Sequence, residues 1–368
     1  MKFEFATGTR IVFGPGAVKQ VSDIVTGRVL LITGSRDLGL ENAVRFRVSG
    51  EPTIDVVRNG TRLALDERCT CVVALGGGSA IDAGKAISAM MTNPGDPLDY
   101  LEVIGQGKPM QHSAAPFIAV PTTAGTGSEV TRNAVLASPE RKVKASLRSP
   151  FMLPRVAVVD PELTHGLPAG LTASTGLDAL TQLIEPFVSS KANAMTDLFC
   201  REGIARVARS LARAWQDDAP HAREDMAFAS LLGGLCLANA GLGVIHGFAA
   251  PIGGMFDAPH GAVCAALLPY GIAANIAAAR TQAHMETLHR YAQVSAILTG
   301  VEDSKPEHCI EWLYRFYETL QVPRLRAFGI TPAHIPELVD KAANASSMKA
   351  NPIVLSKDAL SSVLAEAL

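Results

Sequence analysis

Residues Cys71-Val-Val-Ala-Leu75 run directly into Gly76-Gly-Gly-Ser79, and Ala80 to Met91 then reads as a helix. A continuous apolar run that meets three glycines and then a helix leaves few folds open. The run suits a strand covered on both faces, as in a parallel sheet, and the glycines permit the tight strand-to-helix turn that such a sheet needs. The pattern recurs. Arg28-Val-Leu-Leu-Ile-Thr33 ends at Gly34, Phe117-Ile-Ala-Val120 at Pro121, and Val156-Ala-Val-Val159 at Asp160-Pro161. Beyond about residue 163 helical spacing takes over, as in Met195, Leu198, Phe199, Ile204, Val207 and Leu211. The change of character falls between Pro161 and Pro168. It divides the 368 residues into an α/β domain over 1–162 and an all-helical domain over 163–368, in keeping with a length that favours two domains.

Composition narrows the function classes. Lys and Arg total 33 against 35 Asp and Glu, so the net charge of -2 leaves no electrostatic footprint for nucleic acid and no basic patch for a membrane surface. Of the six cysteines, only Cys69 and Cys71 lie close together, and none forms a C-x-x-C pair. Reduced, buried thiols in a cytoplasmic protein are expected. The opening Met-Lys-Phe-Glu-Phe lacks the basic and apolar regions of a signal peptide. Met226 to Phe256 is free of charged residues and exceeds the ~20 residues that span a bilayer. Gly241, Gly243, Pro251, Gly253 and Gly254 interrupt it, so buried helices joined by a loop are expected rather than a membrane span.

Two polar loops follow strands. Gly76-Gly-Gly-Ser79 lets a phosphate approach the backbone, and the helix after it offers free N–H groups and the positive end of its dipole. It matches neither G-x-G-x-x-G nor a P-loop. Pro121-Thr-Thr-Ala-Gly-Thr-Gly-Ser-Glu-Val-Thr131 brings hydroxyls and N–H groups to a second strand end, with a helix expected to start near Ser128. Read singly, the two are a tight turn and a Ser/Thr-rich cap. Together on one sheet they favour a nucleotide at its carboxyl edge.

In the helical part, Asp178 and Gln182 stand four apart and share a helix face in an apolar segment. His246 and His260 lie in or beside the uncharged stretch. Each alone is more often a core histidine than a ligand. With a buried carboxylate they match an Asp/His/His divalent-metal site with an open position.

These motifs also carry a family likeness. Gly76-Gly-Gly-Ser-Ala-Ile-Asp-Ala-Gly-Lys85, Pro121 to Thr131, Gly176-Leu-Asp-Ala-Leu-Thr-Gln-Leu-Ile-Glu185, His246-Gly-Phe-Ala-Ala-Pro251 and Pro259-His-Gly261 resemble signatures of the iron-containing (group III) alcohol dehydrogenases, as do Phe13-Gly-Pro-Gly16 and Asp160-Pro-Glu-Leu163. The resemblance covers nearly the whole chain, in order. It implies a Rossmann-like dinucleotide-binding domain followed by an all-α domain, the architecture shared with dehydroquinate synthase. It also implies hydride transfer between NAD(P) and a small alcohol or aldehyde, with Fe²⁺ or Zn²⁺ polarising the substrate oxygen. By position, Gly76, Gly77, Gly78 and Ser79 would hold the pyrophosphate. Asp82, Thr122, Thr123, Thr126 and Ser128 would line the cofactor, Lys144 would reach its ribose region, and Asp178, His246 and His260 would bind the metal.

The chain departs from the family pattern in three places. The usual fourth ligand is a histidine where Gln182 stands, so Gln182 would add at most a carbonyl oxygen or a hydrogen bond to a metal-bound water. A second histidine commonly occupies the place of Ala250. Material between Leu40 and Val56 is compressed. A three-ligand metal site, a metal-independent reductase of the maleylacetate reductase type and a non-catalytic nucleotide-binding protein are all compatible with these losses. A lyase of the dehydroquinate-synthase type is disfavoured by the Pro121–Thr131 motif. Family members that prefer NAD commonly carry an aspartate about where Ser35 falls. Ser35 with Arg36 beside it therefore predicts that NADPH is accepted alongside NADH, unless the register slips and Asp37 takes that place. A homodimer or larger homo-oligomer is expected.

Overall fold

The computed structural model describes residues 2–34 and 36–368. Their contacts form two units. One spans Ala6–Thr123 and Gly127–His165; the other spans Gly166–Leu368, with Ala124–Thr126 and the N-terminal stretch ending at Phe5.

The first unit is built on a six-stranded parallel sheet. Its strands are β1 (Arg10–Phe13), β2 (Val29–Thr33), β3 (Val44–Arg47), β4 (Cys71–Gly76), β5 (Phe117–Pro121) and, late in the chain, Val156–Val159, in the order β1, Val156–Val159, β5, β4, β2, β3. The four apolar runs are the four inner strands, buried along their lengths except at Gly76, whereas the edge strands β1 and β3 are partly exposed. Alternate residues serve opposite faces. Leu30, Ile32, Val72, Ala74, Phe117 and Ala119 pack in one core with α2 (Ile54–Asp66) and α3 (Gly78–Met90). Leu31, Val73, Leu75, Ile118, Val120 and Val158 pack in the other with Ala17 and Val21. Covering both faces is what makes the strands apolar throughout.

Between β5 and the last strand the structure differs from expectation. The helix expected near Ser128 is a single 3₁₀ turn, Ser128–Val130. It leads into an antiparallel hairpin of β6 (Asn133–Ser138) and β7 (Val143–Arg148), with Val156–Val159 following as β8. Only Ala134, Leu136, Ala145 and Leu147 of the hairpin's hydrophobic residues are fully buried, so its pattern is the weaker period-2 one.

The second unit is helical: α5 (Ala169–Val188), α6 (Ala194–Gln216), α7 (Pro220–Ala240), α8 (Val244–Met255), α9 (His260–Thr281), α10 (Met285–Thr299), α11 (His308–Leu320), α12 (Ile335–Ala343) and α13 (Lys357–Ala367). The helix α5 packs against α6, α7 and α9, with its residues from Gly176 to Val188 all buried. The uncharged stretch after Met226 is α7 and α8, which meet at a bend of 100°, and the apolar α9 is mostly buried inside the unit. Apolarity here reflects a core position. All six cysteines are buried and free.

Gly84 faces the sheet from α3, and a Cβ there would stand 2.6 Å from the Phe117 ring and 2.9 Å from the Ala74 methyl. Both neighbours are held by the sheet, so the helix itself would have to move. Gly84→Val is expected to destabilise this unit by about 2–3 kcal/mol, read as a lower urea midpoint; an unchanged midpoint would show that the contact is not tight.

Candidate metal centre and phosphate loop

Helix α5 carries Asp178, Gln182 and Glu185 at spacings of four and three, so they form one polar stripe. All three are buried. Two further segments meet the stripe with their first turns: His246 is the third residue of α8, and His260 the first of α9. Gly261 permits this approach, because a Cβ there would lie 2.7 Å from the Ser174 carbonyl and 3.4 Å from the Asp178 Cβ.

Glu185 organises the centre. One carboxylate oxygen accepts the Ile245 N–H at 2.7 Å, and the other stands 2.7 Å from His246 Nδ1. A carboxylate only accepts, so His246 carries a hydrogen on Nδ1 and turns Nε2 toward Asp178. That Nε2 lies 3.4 Å from Asp178 Oδ1, and His260 Nε2 lies 3.8 Å from the same oxygen. The structure thus brings together Asp178, His246 and His260. Gln182 donates from Nε2 to Asp178 Oδ2 at 3.3 Å. Among the described residues, Asp178 Oδ1 and Gln182 Oε1 are buried without any hydrogen-bond partner.

Two buried oxygens left unpaired beside imidazole nitrogens fit a bound cation, since a buried polar atom without a partner costs about 1–3 kcal/mol and a charged one more. Electrostatics agree. Burial opposes the charge on Asp178, but His260 and His246 outweigh it and hold the carboxyl below its usual range. Burial likewise disfavours charged imidazoles, but Cys264 and the carboxylates beside them raise both histidines. These shifts favour positive charge beside Asp178, carried by a proton or by an ion.

Sequence reasoning missed two residues here. For Glu185 the available signal is its i+7 spacing from Asp178. For Cys264 it is the His260-x-x-x-Cys264 spacing, which places both on one face of a helix. Its Sγ stands 3.7 Å from the Nε2 atoms of both histidines.

Glu185→Gln leaves one acceptor oxygen for two N–H groups and loses the charge that orients His246. It is expected to weaken Zn²⁺ binding about 10–100-fold in chelator competition; equal affinity would show that Glu185 does not position the ring.

At the carboxyl end of β4 the turn Gly76-Gly77-Gly78-Ser79 is only partly buried, and α3 begins at Gly78 with no side-chain cap. Its first-turn N–H groups have no partners within the helix. Thr123 stands against Gly77, where a Cβ would come within 3.3 Å of its hydroxyl, and Thr122 N–H donates to the Gly76 carbonyl at 2.9 Å. These residues form one partly exposed polar edge. Asp82 is engaged within the protein. Its Oδ1 accepts from the Ser128 hydroxyl and lies 3.2 Å from Lys85 Nζ, and its Oδ2 accepts from Val135 N–H at 2.9 Å. Lys85 is fully buried and also donates to the Ser128 carbonyl at 2.9 Å and to the Thr131 hydroxyl at 2.8 Å. Thr126 falls with the helical unit. Lys144, on β7, pairs with Glu51 at 3.0 Å. Arg36 is exposed and donates to the Leu163 carbonyl at 2.5 Å, while Asp37 is bound by Arg45 at 2.6 Å. Ser35 lies outside the described residues.

Comparison with known proteins agrees with this arrangement. Residues 8–161 match the family model described as iron-containing alcohol dehydrogenase, and residues 172–368 match the C-terminal model of the Fe-containing alcohol dehydrogenase family. Alcohol dehydrogenase 4 of Saccharomyces cerevisiae is 32% identical, covering 96% of each chain. The NAD-dependent methanol dehydrogenase of Bacillus methanolicus is 32% identical, covering 97% of each. A crystal structure of 1,3-propanediol oxidoreductase superposes with a TM-score of 0.90 at 32% identity over 100% of both chains. With two family models spanning almost its full length in order, the chain belongs to the iron-containing alcohol dehydrogenase family.

Proposed function

We propose that the protein is an NAD(P)-dependent alcohol dehydrogenase that transfers hydride between the nicotinamide and a small alcohol or aldehyde. The observation that carries the metal-dependent form of this reading is the pair of unpartnered buried oxygens, Asp178 Oδ1 and Gln182 Oε1, beside the His246 and His260 nitrogens. In a metal-independent reductase of the maleylacetate reductase type, these atoms would depend on protonated imidazoles or water instead. When bound, the nicotinamide supplies or takes up the hydride, and Fe²⁺ or Zn²⁺ acts as a Lewis acid toward the substrate oxygen.

The chain's own residues divide the remaining work. Asp178, His246 and His260 hold the ion, and Glu185 fixes the tautomer of His246. The backbone of Gly76, Gly77, Gly78 and Ser79 binds the pyrophosphate at the start of α3, with Thr122 and Thr123 beside it. Thr126 and Ser128 line the cofactor in this reading, and Lys144 reaches toward its ribose. Asp82 supports the Ser128 turn from behind. A homodimer or larger homo-oligomer in the cytoplasm belongs to the same proposal and is supported by the family membership.

The test mixes the protein with NADH or NADPH and a panel of aldehydes and follows nicotinamide absorbance. Turnover is expected. Loss of Lewis-acid stabilisation of several kcal/mol should make metal removal, or His260→Ala, lower kcat/KM by about 100-fold or more. Full activity in both samples would sink the metal-dependent form, and silence across the panel would favour a non-catalytic nucleotide-binding protein or a lyase.

Cofactor choice is open to a separate measurement. Asp37 is paired with Arg45, which lessens its repulsion of a 2′-phosphate, and Arg36 is exposed beside it, with its guanidinium on the Leu163 carbonyl. A charged hydrogen bond is worth roughly 1.5–3 kcal/mol. Arg36→Ala is therefore expected to lower kcat/KM with NADPH about ten- to a hundredfold and to leave NADH use nearly unchanged. Equal losses with both cofactors would show that Arg36 does not read the phosphate.

A further inference from the structure

The donor atoms of Asp178, His246, His260 and Cys264 all lie within 4.8 Å of one another. Cys264 is fully buried, one turn beyond His260 on α9. Donors about 2.0–2.3 Å from a common centre in a tetrahedron are separated by roughly 3.3–3.6 Å. The separations here are 3.4 and 3.8 Å from Asp178 Oδ1 to the two Nε2 atoms, and 3.7 Å from Cys264 Sγ to each of them. These four separations lie within a few tenths of an ångström of that geometry, and the remaining two are within 4.8 Å.

The sulfur stands 3.7 Å from the Nε2 atoms of both histidines, against the same two nitrogens that face Asp178. His246 turns Nε2 toward this cluster because its Nδ1 faces Glu185. Asp178 Oδ1 beside it has no hydrogen-bond partner. We propose that Cys264, as the thiolate, is the fourth protein ligand of the divalent ion, restoring the donor count that Gln182 lowers. The inference rests on the metal-dependent reading above and extends it to this chain's own donor set.

Ligation exchanges one proton for one metal–sulfur bond: the thiol hydrogen leaves to solvent, and a sulfur lone pair goes to the ion. Asp178 and Cys264 together then neutralise a dication, whereas a histidine as fourth ligand would leave one positive charge in a buried site. Thiolate also makes the set softer, favouring Zn²⁺ over Mg²⁺ or Mn²⁺. The other five cysteines belong to no such donor cluster among the described residues.

The test uses the full chain, stripped of metal and titrated with Co²⁺ alone, followed by Zn²⁺ competition. A thiolate-to-cobalt charge-transfer band in the near ultraviolet is expected in the parent, together with visible d–d bands. Cys264→Ser should lose the near-ultraviolet band and bind cobalt at least tenfold more weakly. Adding Gln182→His to that variant should regain affinity without regaining the band. Cys264→Ala serves if the serine variant does not fold, and the parent spectrum stands without either. Cobalt bound by the parent with no thiolate band, or a band that survives in both Cys264 variants, overturns the proposal and leaves a metal-dependent dehydrogenase intact. A parent that binds neither cobalt nor zinc overturns the metal-dependent reading, and this proposal with it.

Discussion

Two carboxylates, Asp178 and Glu185, lie buried on one face of a helix whose surroundings are otherwise apolar. A buried carboxylate is tolerated only when it is paired or bound, and the helical unit is arranged around that demand. Glu185 meets it inside the protein by taking one backbone and one imidazole hydrogen from the start of α8. Asp178 meets it only in part, accepting from Gln182 on one oxygen and leaving the other open. Glu185 therefore fixes a ring, and Asp178 leaves one oxygen open beside the two imidazoles. Asn351 completes the same turn by accepting from Val244 N–H at 3.1 Å, so the entry of α8 is held from two sides.

The sheet unit reaches its chemistry by a different route. Among the described residues it holds no cluster of metal donors. Its contribution is positional: β4 and β5 are adjacent and in register, with Gly76 opposite Pro121, so the two polar loops leave neighbouring strands at the same level. That adjacency follows from apolar strands that pair in a buried sheet, and it brings Thr123 against Gly77 and Thr122 N–H onto the Gly76 carbonyl.

Much of this was legible in residue order. The four buried strands were readable because both of their faces are covered, which removes the polar alternation of an exposed strand. The edge strands β1 and β3 and the hairpin β6–β7 were not, because each buries few side chains and so carries little hydrophobic signal. Asp178, His246 and His260 stood out as polar residues in uncharged surroundings. Glu185 and Cys264 did not, for opposite reasons: a glutamate at the end of a motif looks like a surface residue, and a cysteine in an apolar helix looks like a small hydrophobe. Their roles depend on where α8 and α9 begin in space, which spacing along one helix cannot supply. Asp82 and Lys144, which the family resemblance assigns to the cofactor, also have partners within their own unit: Ser128, Lys85 and Val135 for Asp82, and Glu51 for Lys144.

Lys85 gives the sheet unit a property beyond its shape. Its ammonium group, with no exposure to water, ties α3 to the Ser128 carbonyl, the Thr131 hydroxyl and Asp82. Burial lowers its pKa, and the Asp82 carboxylate works against that shift. Moving α3 away from the loop after β5 would strand a charged amine in an apolar interior, a far larger penalty than breaking an ordinary loop contact. The start of α3 and the Ser128–Thr131 turn are thus tied together by buried contacts. Their conformational entropy is surrendered when the chain folds, so a ligand bound at this edge would not have to order them.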